Sequence, residues 1–304
     1  MGSLAHTVLV KTERMRGVEI DPESRTARVE AGVLWAEVSE AAAEHGLAAL
    51  AGSSPDVGVV GYSLGGGVSW LARRYGLAAN SVTAVELVNA ESELVRADAD
   101  NESELFWALR GGGSFGVVTA LEFQLYPIAE VYAGVLFFPI ERGTEVLRAW
   151  RRWIEDVPDE VTSVGRFLQF PPIPDIPEPL RGGSFVVVEA TSLLGEAATD
   201  ALLQPLRELG PAMDTFATIP VERLSSLHMD PEQPVPAWVT GCCFATSPRR
   251  PSTRSLLPQV PFPARRSSRW RCATSAVPWG GCSRATGPWP RSRPVLRCSP
   301  SGSR

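Results

Sequence analysis

Between Pro55 and Trp70 the chain reads PDVGVVGYSLGGGVSW, with Gly58, Gly61, Gly65, Gly66 and Gly67 packed into ten residues. Glycine lets a backbone approach a ligand closely and turn its N–H groups toward it, which suits an anionic pyrophosphate. The spacing excludes two common phosphate-binding designs. No lysine follows as in GxxxxGK[ST]. Nor does the segment follow a strand of a parallel βαβ unit with a ribose-binding acid about 20 residues on, as a Rossmann fingerprint requires. A glycine-rich turn that packs helix on sheet is the competing reading, and spacing does not separate the two.

The surrounding pattern is mixed. Residues 7–10 and 25–30 alternate like short strands, with a turn at Asp21-Pro22-Glu23-Ser24. Leu34, Val38, Ala41 and Ala42 form a helical face that ends at Glu44-His45-Gly46. Residues 70–76 look helical, and residues 82–88 and 94–96 look like a hairpin turning at 89–93. A short helix over 104–109 runs into a second glycine loop, Gly111-Gly112-Gly113, and β-rich sequence follows from Gly116 to Leu125. Two such loops offer backbone donors to an extended, doubly phosphorylated ligand.

Beyond residue 129, where we place a domain boundary, the units lengthen. Strands are expected at 132–138, 161–170, 184–191 and 213–218, and helices at 141–155 and 196–209. Val146, Leu147, Trp150 and Ile154 share one face of the first of these helices, so it should pack on a sheet.

Charge is distributed unevenly. All 34 acidic residues precede residue 233, whereas residues 233–304 hold 12 arginines and all five cysteines, Cys242, Cys243, Cys272, Cys282 and Cys298. The acidic part therefore has no disulfide, thiol nucleophile or cysteine metal site. With only His6, His45 and His228 present, no metal site is expected. No apolar run reaches the ~18 residues of a membrane span and no secretory signal pattern opens the chain, which reads as cytoplasmic.

The run from Gly58 to Asn80, followed by LFWALRGGGSFGVVT from Leu105 to Thr119, resembles the FAD-binding domain of the p-cresol methylhydroxylase and vanillyl-alcohol oxidase superfamily, nearest its berberine-bridge-enzyme-like bacterial members. The likeness extends back through residues 14–20 and 31–35 and onward to about Pro236. It implies an α+β fold: a PCMH-type FAD-binding domain over residues 1–128, lacking its N-terminal subdomain, and a partial α/β substrate domain with an antiparallel sheet over 129–236. The resemblance implies FAD as cofactor. It sets Gly58, Gly61, Gly65, Gly66 and Gly67, with Ser63 among them, against the pyrophosphate and ribityl chain. Asn80, Ser81 and Val82, together with Phe115, Gly116, Val117 and Val118, would supply backbone contacts toward the flavin and adenine ends. Tyr62 stands where some relatives have a polar ring, although a half-buried structural tyrosine fits the position equally.

Many relatives tether the flavin through a cysteine just before the Pro-x-Val-Gly step. Ser53-Ser54-Pro55 stands here, so a cysteinyl bond is excluded. The alternative histidine tether belongs to a loop expected upstream of Thr7, and His6 lacks its glycines. The implied chemistry is oxidation of a small organic substrate by hydride transfer to flavin, with O2 as acceptor. All four tyrosines, Tyr62, Tyr75, Tyr126 and Tyr132, precede residue 133, so no tyrosine base from the C-terminal half can be named. His228 sits in a proline-bounded loop that nothing in the sequence positions. The alternative is an inactive fragment or pseudoenzyme unable to retain FAD.

After Pro236 the likeness stops. Residues 237–304 hold Arg, Ser, Pro, Cys and Trp without helix or strand period and are expected to be a disordered tail. A basic nucleic-acid arm is one reading, weakened by the absence of lysine, and no CxxC pair supports a metal site. A single-base frame shift in a GC-rich gene accounts for the composition best. The expected partner is a small-molecule substrate, with no nucleic acid and no membrane, and the oligomeric state is open.

Overall fold

The Asp21–Ser24 turn closes on its own side chain. In the computed structural model, which describes residues 8–111, 115–174 and 176–230, Asp21 Oδ1 accepts the backbone N–H groups of Glu23 (2.9 Å) and Ser24 (3.2 Å). The turn joins β1 (Val18–Asp21) to β2 (Thr26–Glu30). Residues 8–10, expected as part of a strand, form none. Val8, Leu9 and Val10 are exposed and pair with no strand among the described residues, and a run this short becomes a strand only when an adjoining strand takes up its hydrogen bonds.

Two further strands, β3 (Val82–Val88) and β4 (Leu94–Asp98), make the expected hairpin, in which Asn89 Oδ1 accepts the N–H of Glu93 at 2.9 Å. With β5 (Val117–Gln124) they complete an antiparallel sheet in the order β1-β2-β5-β3-β4. Side chains alternate across it. Val29, Val85, Leu87 and Leu121 face α1 (Trp35–Ala43), α2 (Val59–Leu64) and α5 (Ser103–Leu109) in one core. The other face carries Arg28, Glu86, Arg96 and Glu122 as ion pairs. Helix 70–76 of the sequence reading shrinks to one turn, α3 (Ala72–Tyr75), because Gly76 leaves at φ +84°; a second single turn, α4 (Ala78–Ser81), follows.

The second sheet comprises β6 (Glu130–Pro139), β7 (Val161–Gln169), β8 (Ser184–Ser192), β9 (Met213–Asp214) and β10 (Ala217–Pro220), ordered β10-β6-β8-β7 with β9 also on β6, antiparallel throughout. The single strand expected at 213–218 is split. Asp214 Oδ1 accepts the Phe216 N–H at 3.0 Å, a local turn that competes with the ladder. Helices α6 (Gly143–Asp156) and α7 (Glu196–Arg207) cover one face of this sheet. Val146, Trp150 and Trp153 of α6 meet Val186, Val188 and Ala190 of β8. The helix is turned slightly from the face read in the sequence: Trp153 is buried, its Nε1 donating to the Leu202 carbonyl (2.6 Å), and Leu147 and Ile154 lie at the margin.

The opposite face of the second sheet meets the first layer. Trp70, Leu71 and Ala78 pack there against Val131 and Ala133 of β6 and against Val221 and Leu224 of a 3₁₀ turn (Val221–Ser226). The tail expected from residue 237, the five cysteines, His6 and Gly112-Gly113-Ser114 lie outside the described residues. Among the described residues no helix is long and apolar enough to cross a membrane, and no group of three or more His, Cys, Asp or Glu side chains is placed to hold a metal.

Candidate functional site

The glycine-rich segment is held from below by main-chain hydrogen bonds. Pro55 and Val57 carbonyls accept N–H groups from Ala36 (2.9 Å) and Trp35 (3.1 Å), and Val59 N–H donates to Val33 (3.1 Å). Glycine serves two different purposes along it. Gly67 is forced by packing: its φ is +68°, and a Cβ there would lie 2.5 Å from the Tyr62 ring and 2.7 Å from Ala78 Cβ. Gly58 and Gly61 are the reverse, since a Cβ on either meets no atom of the described residues within 4 Å. Gly61 even sits inside α2, where alanine would be favoured, so local folding gives no reason for glycine there.

The segment runs along the sheet rather than across one spot. At its start, Gly58 bridges Leu34, and the Ala31 N–H donates to Thr119 at 2.9 Å, beside the 115–118 end of β5. At its finish, Gly66 and Gly67 carbonyls accept the Ala79 and Ala78 N–H groups, both at 2.9 Å, next to Asn80 and Val82. Val82 and Val88 bound β3, and Val88 pairs with Val117, so the two flanking groups stand ~20 Å apart at strand rise. The sequence-derived residues thus form one extended track. Within it Phe115, Val117 and Asn80 are exposed, while Val118 is half-buried. Gly116 has no room for a side chain, its Cβ direction blocked 2.5 Å away by the Val88 carbonyl. Ser63 and Val82 are buried, so only their main chains are near the track surface.

Several polar groups around the track have no hydrogen-bond partner among the described residues. Tyr62 Oη is buried and unpaired under its edge-to-face contact with Trp35, and burial pushes the phenol's pKa well up, so it stays protonated. Trp70 Nε1 and Thr119 Oγ1 are likewise buried without a hydrogen bond. Buried polar groups left unpaired in a protein normally await water or a ligand. A backbone-lined track ~20 Å long, with two glycines opening onto free space and an unpaired phenol beside it, fits an extended dinucleotide such as FAD.

Ser54, at the tether position, is engaged elsewhere. Ser53 and Ser54 hydroxyls both donate to Asp230 Oδ2, at 2.9 and 2.8 Å. Two residues earlier, His228 Nδ1 lies 2.6 Å from Glu189 Oε2 on β8, while Arg166 of β7 donates twice to Glu189 Oε1 at 2.9 and 2.7 Å. Arg166 also reaches the His228 carbonyl. Glu189 is completely buried and points to the sheet face opposite α6 and α7. The sequence reading named His228 but found nothing to position it, and it missed Glu189, Arg166 and Asp230. No local signal marks them: the Ser54–Asp230 partners are 176 residues apart and Glu189–His228 39.

Comparison with known proteins points to the same cofactor. A family model described as an FAD binding domain matches residues 2–98. (R)-6-hydroxynicotine oxidase of Paenarthrobacter nicotinovorans is 39% identical over 122 residues, 40% of this chain and 27% of its own length. Berberine bridge enzyme-like 25 of Arabidopsis thaliana is 32% identical over 163 residues, 51% of this chain and 30% of its own. The crystal structure of 6-hydroxy-D-nicotine oxidase from Arthrobacter nicotinovorans superposes with a TM-score of 0.62 at 30% identity, covering 71% of this chain and 47% of that one. The chain thus spans under a third of the length of these two curated relatives. With the glycine track and the two antiparallel sheets in hand, these matches show an FAD binding domain over residues 2–98 in a chain similar to FAD-linked oxidoreductases of the berberine-bridge-enzyme-like kind.

Proposed function

We propose that this chain binds FAD along the glycine track and oxidises a small organic substrate, with O2 as the final acceptor. Gly58 and Gly61 present bare main chain to the cofactor, and Gly65, Gly66 and Gly67 shape the end of the track. Tyr62 offers its unpaired hydroxyl. Ser54, Pro55, Asn80 and Phe115–Val118 (residues 115–118) border it, and Ser63 and Val82 hold its backbone from beneath. When bound, FAD supplies an acceptor for a hydride from a substrate C–H bond. Residues 1–128 form the cofactor part and 129–236 the part that covers the substrate. With serine at position 54 the flavin is held without a cysteinyl bond.

The observation that carries this reading is the pair of open glycines, one of them inside a helix, in a segment whose other glycines answer to close packing (Gly65, Gly67) or to a positive φ (Gly66, +115°). Purification followed by desalting tests it. The full chain should retain flavin absorbance, and added FAD should raise its melting temperature by mass action. A colourless protein that FAD leaves unstabilised refutes the assignment. (R)-6-hydroxynicotine is a first substrate probe, since its oxidase is similar to this chain.

A further inference from the structure

We propose that His228 is the proton-accepting group of this site, with Glu189 and Arg166 as its positioning residues; this rests on FAD lying along the glycine track. Glu189 reaches His228 with one carboxylate oxygen and Arg166 with the other. The Glu189–Arg166 pair is already charge-balanced, and Glu189 is fully buried. A neutral imidazole donating from Nδ1 completes its hydrogen bonding without adding net charge to the cluster. That tautomer leaves Nε2 as a lone-pair acceptor, and among the described residues nothing hydrogen-bonds to it. A carboxylate that fixes Nδ1–H so that Nε2 can take a proton is the arrangement of the Ser-His-Asp triad, in which histidine acts as a general base.

Location points the same way. The imidazole packs edge-on against Trp70 (5.8 Å between ring centres), three residues beyond Gly67. Asp230, two residues on, accepts from Ser53 and Ser54 at the head of the glycine segment. The loop is therefore fastened to the second sheet at one end and to the cofactor segment at the other, and His228 lies between them with its side chain one-fifth exposed. The charged groups of neighbouring elements that face this loop are Glu189 on β8, Arg166 on β7 and Asp230 within the loop itself. For a substrate H–C–X–H, the X–H proton goes to Nε2, the C–H hydrogen leaves with its electron pair for the hydride acceptor, and C=X forms; a nitroalkane, which has no X–H, gives its acidic C–H proton to the same Nε2, and the electron pair left on carbon goes to the acceptor.

Two measurements on the full FAD-loaded chain decide this. Nitrogen-15 spectra of the imidazoles are tractable because the chain has three histidines, His6, His45 and His228, and H228Q assigns the third. Expected are a protonated-type Nδ1 and an unprotonated-type Nε2 for His228, with that preference lost in E189Q; the opposite tautomer overturns the proposal. The second measurement compares anaerobic flavin bleaching by neutral nitroethane, which must lose a C–H proton first, with bleaching by its pre-ionised nitronate. H228Q should slow neutral nitroethane roughly 100-fold and leave the nitronate rate unchanged, a split that a purely structural role does not produce. Equal rates with neutral nitroethane in wild type and H228Q overturn the base assignment alone. A wild-type protein that holds no flavin removes the FAD reading and this proposal together, whereas a flavin-loaded protein that the nitronate cannot bleach overturns this proposal and leaves the FAD reading standing.

Discussion

Each sheet carries a cross-strand arginine–glutamate pair. On the first, Arg28 and Glu86 reach toward each other over β5 with side chains 33% and 22% exposed; on the second, Arg166 and Glu189 join neighbouring strands at 17% and 0%. Residue types and distances are nearly the same, 2.9 and 2.7 Å. What differs is solvent. The first pair is screened and contributes little, whereas the second has given up its hydration, a cost that packing alone does not explain because apolar residues would fill the same space more favourably. The first sheet lies under the glycine segment with its apolar face and keeps its charges on the far face for water. The second turns a charged pair toward the layer it packs against, where the proposed substrate chemistry is placed.

The contrast is broken most directly by truncating each acid. Glu189→Ala should cost about 3–5 kcal/mol by leaving Arg166 uncompensated, against under ~1 kcal/mol for Glu86→Ala, both read from urea denaturation midpoints. Equal losses would mean that the two pairs are not different in kind.

The glycines give the next largest effect and one of opposite sign. Gly67→Ala must place a methyl against Tyr62 and Ala78 at φ +68°, and should cost ~3 kcal/mol. Gly61→Ala meets nothing and improves a helix interior, so the FAD-free protein should gain ~0.5–1 kcal/mol while its flavin occupancy falls. A Gly61→Ala protein that keeps its full flavin content would show that this position does not face the cofactor.

Asp230→Asn weakens the two serine hydrogen bonds of a charged acceptor and should cost ~1–2 kcal/mol, detectable as a lower melting temperature that Ser54→Ala does not lower further.

The smallest effect is in acid. The Arg28 hydrogen bond holds the Glu86 carboxyl below its ordinary pKa. A depressed folded-state value means the contribution is whole above the ordinary carboxylate pKa and disappears as pH falls through the folded value. Glu86→Gln should therefore flatten part of the stability loss below that range and change nothing near neutrality; an unchanged acid limb would show that solvent cancels the pair.

Much of the architecture could be read from local pattern. The 21–24 turn, the 82–98 hairpin, the helix after residue 34 and the long strands and helices beyond residue 130 all form, because each depends on periodicity and turn chemistry within a few residues. Failures occurred where periodicity was overruled: residues 8–10 alternate but find no neighbour among the described residues, and the strand read over 213–218 splits where the Asp214 side chain turns the chain. The helix inside the glycine segment was missed because glycine content argues against it locally, while the main-chain bonds to residues 33–36 hold it in place.

By itself the sequence determined the cofactor half of this protein. A backbone-binding site needs glycines at close spacing, and closely spaced residues are visible in one dimension. Tertiary structure alone decided which of those glycines face open space and which are held by packing or a positive φ, and it alone brought Glu189, Arg166 and His228 together. Side-chain chemistry is assembled from separate strands and a loop, so no local spacing encodes it; only the burial of one sheet face against the other layer does.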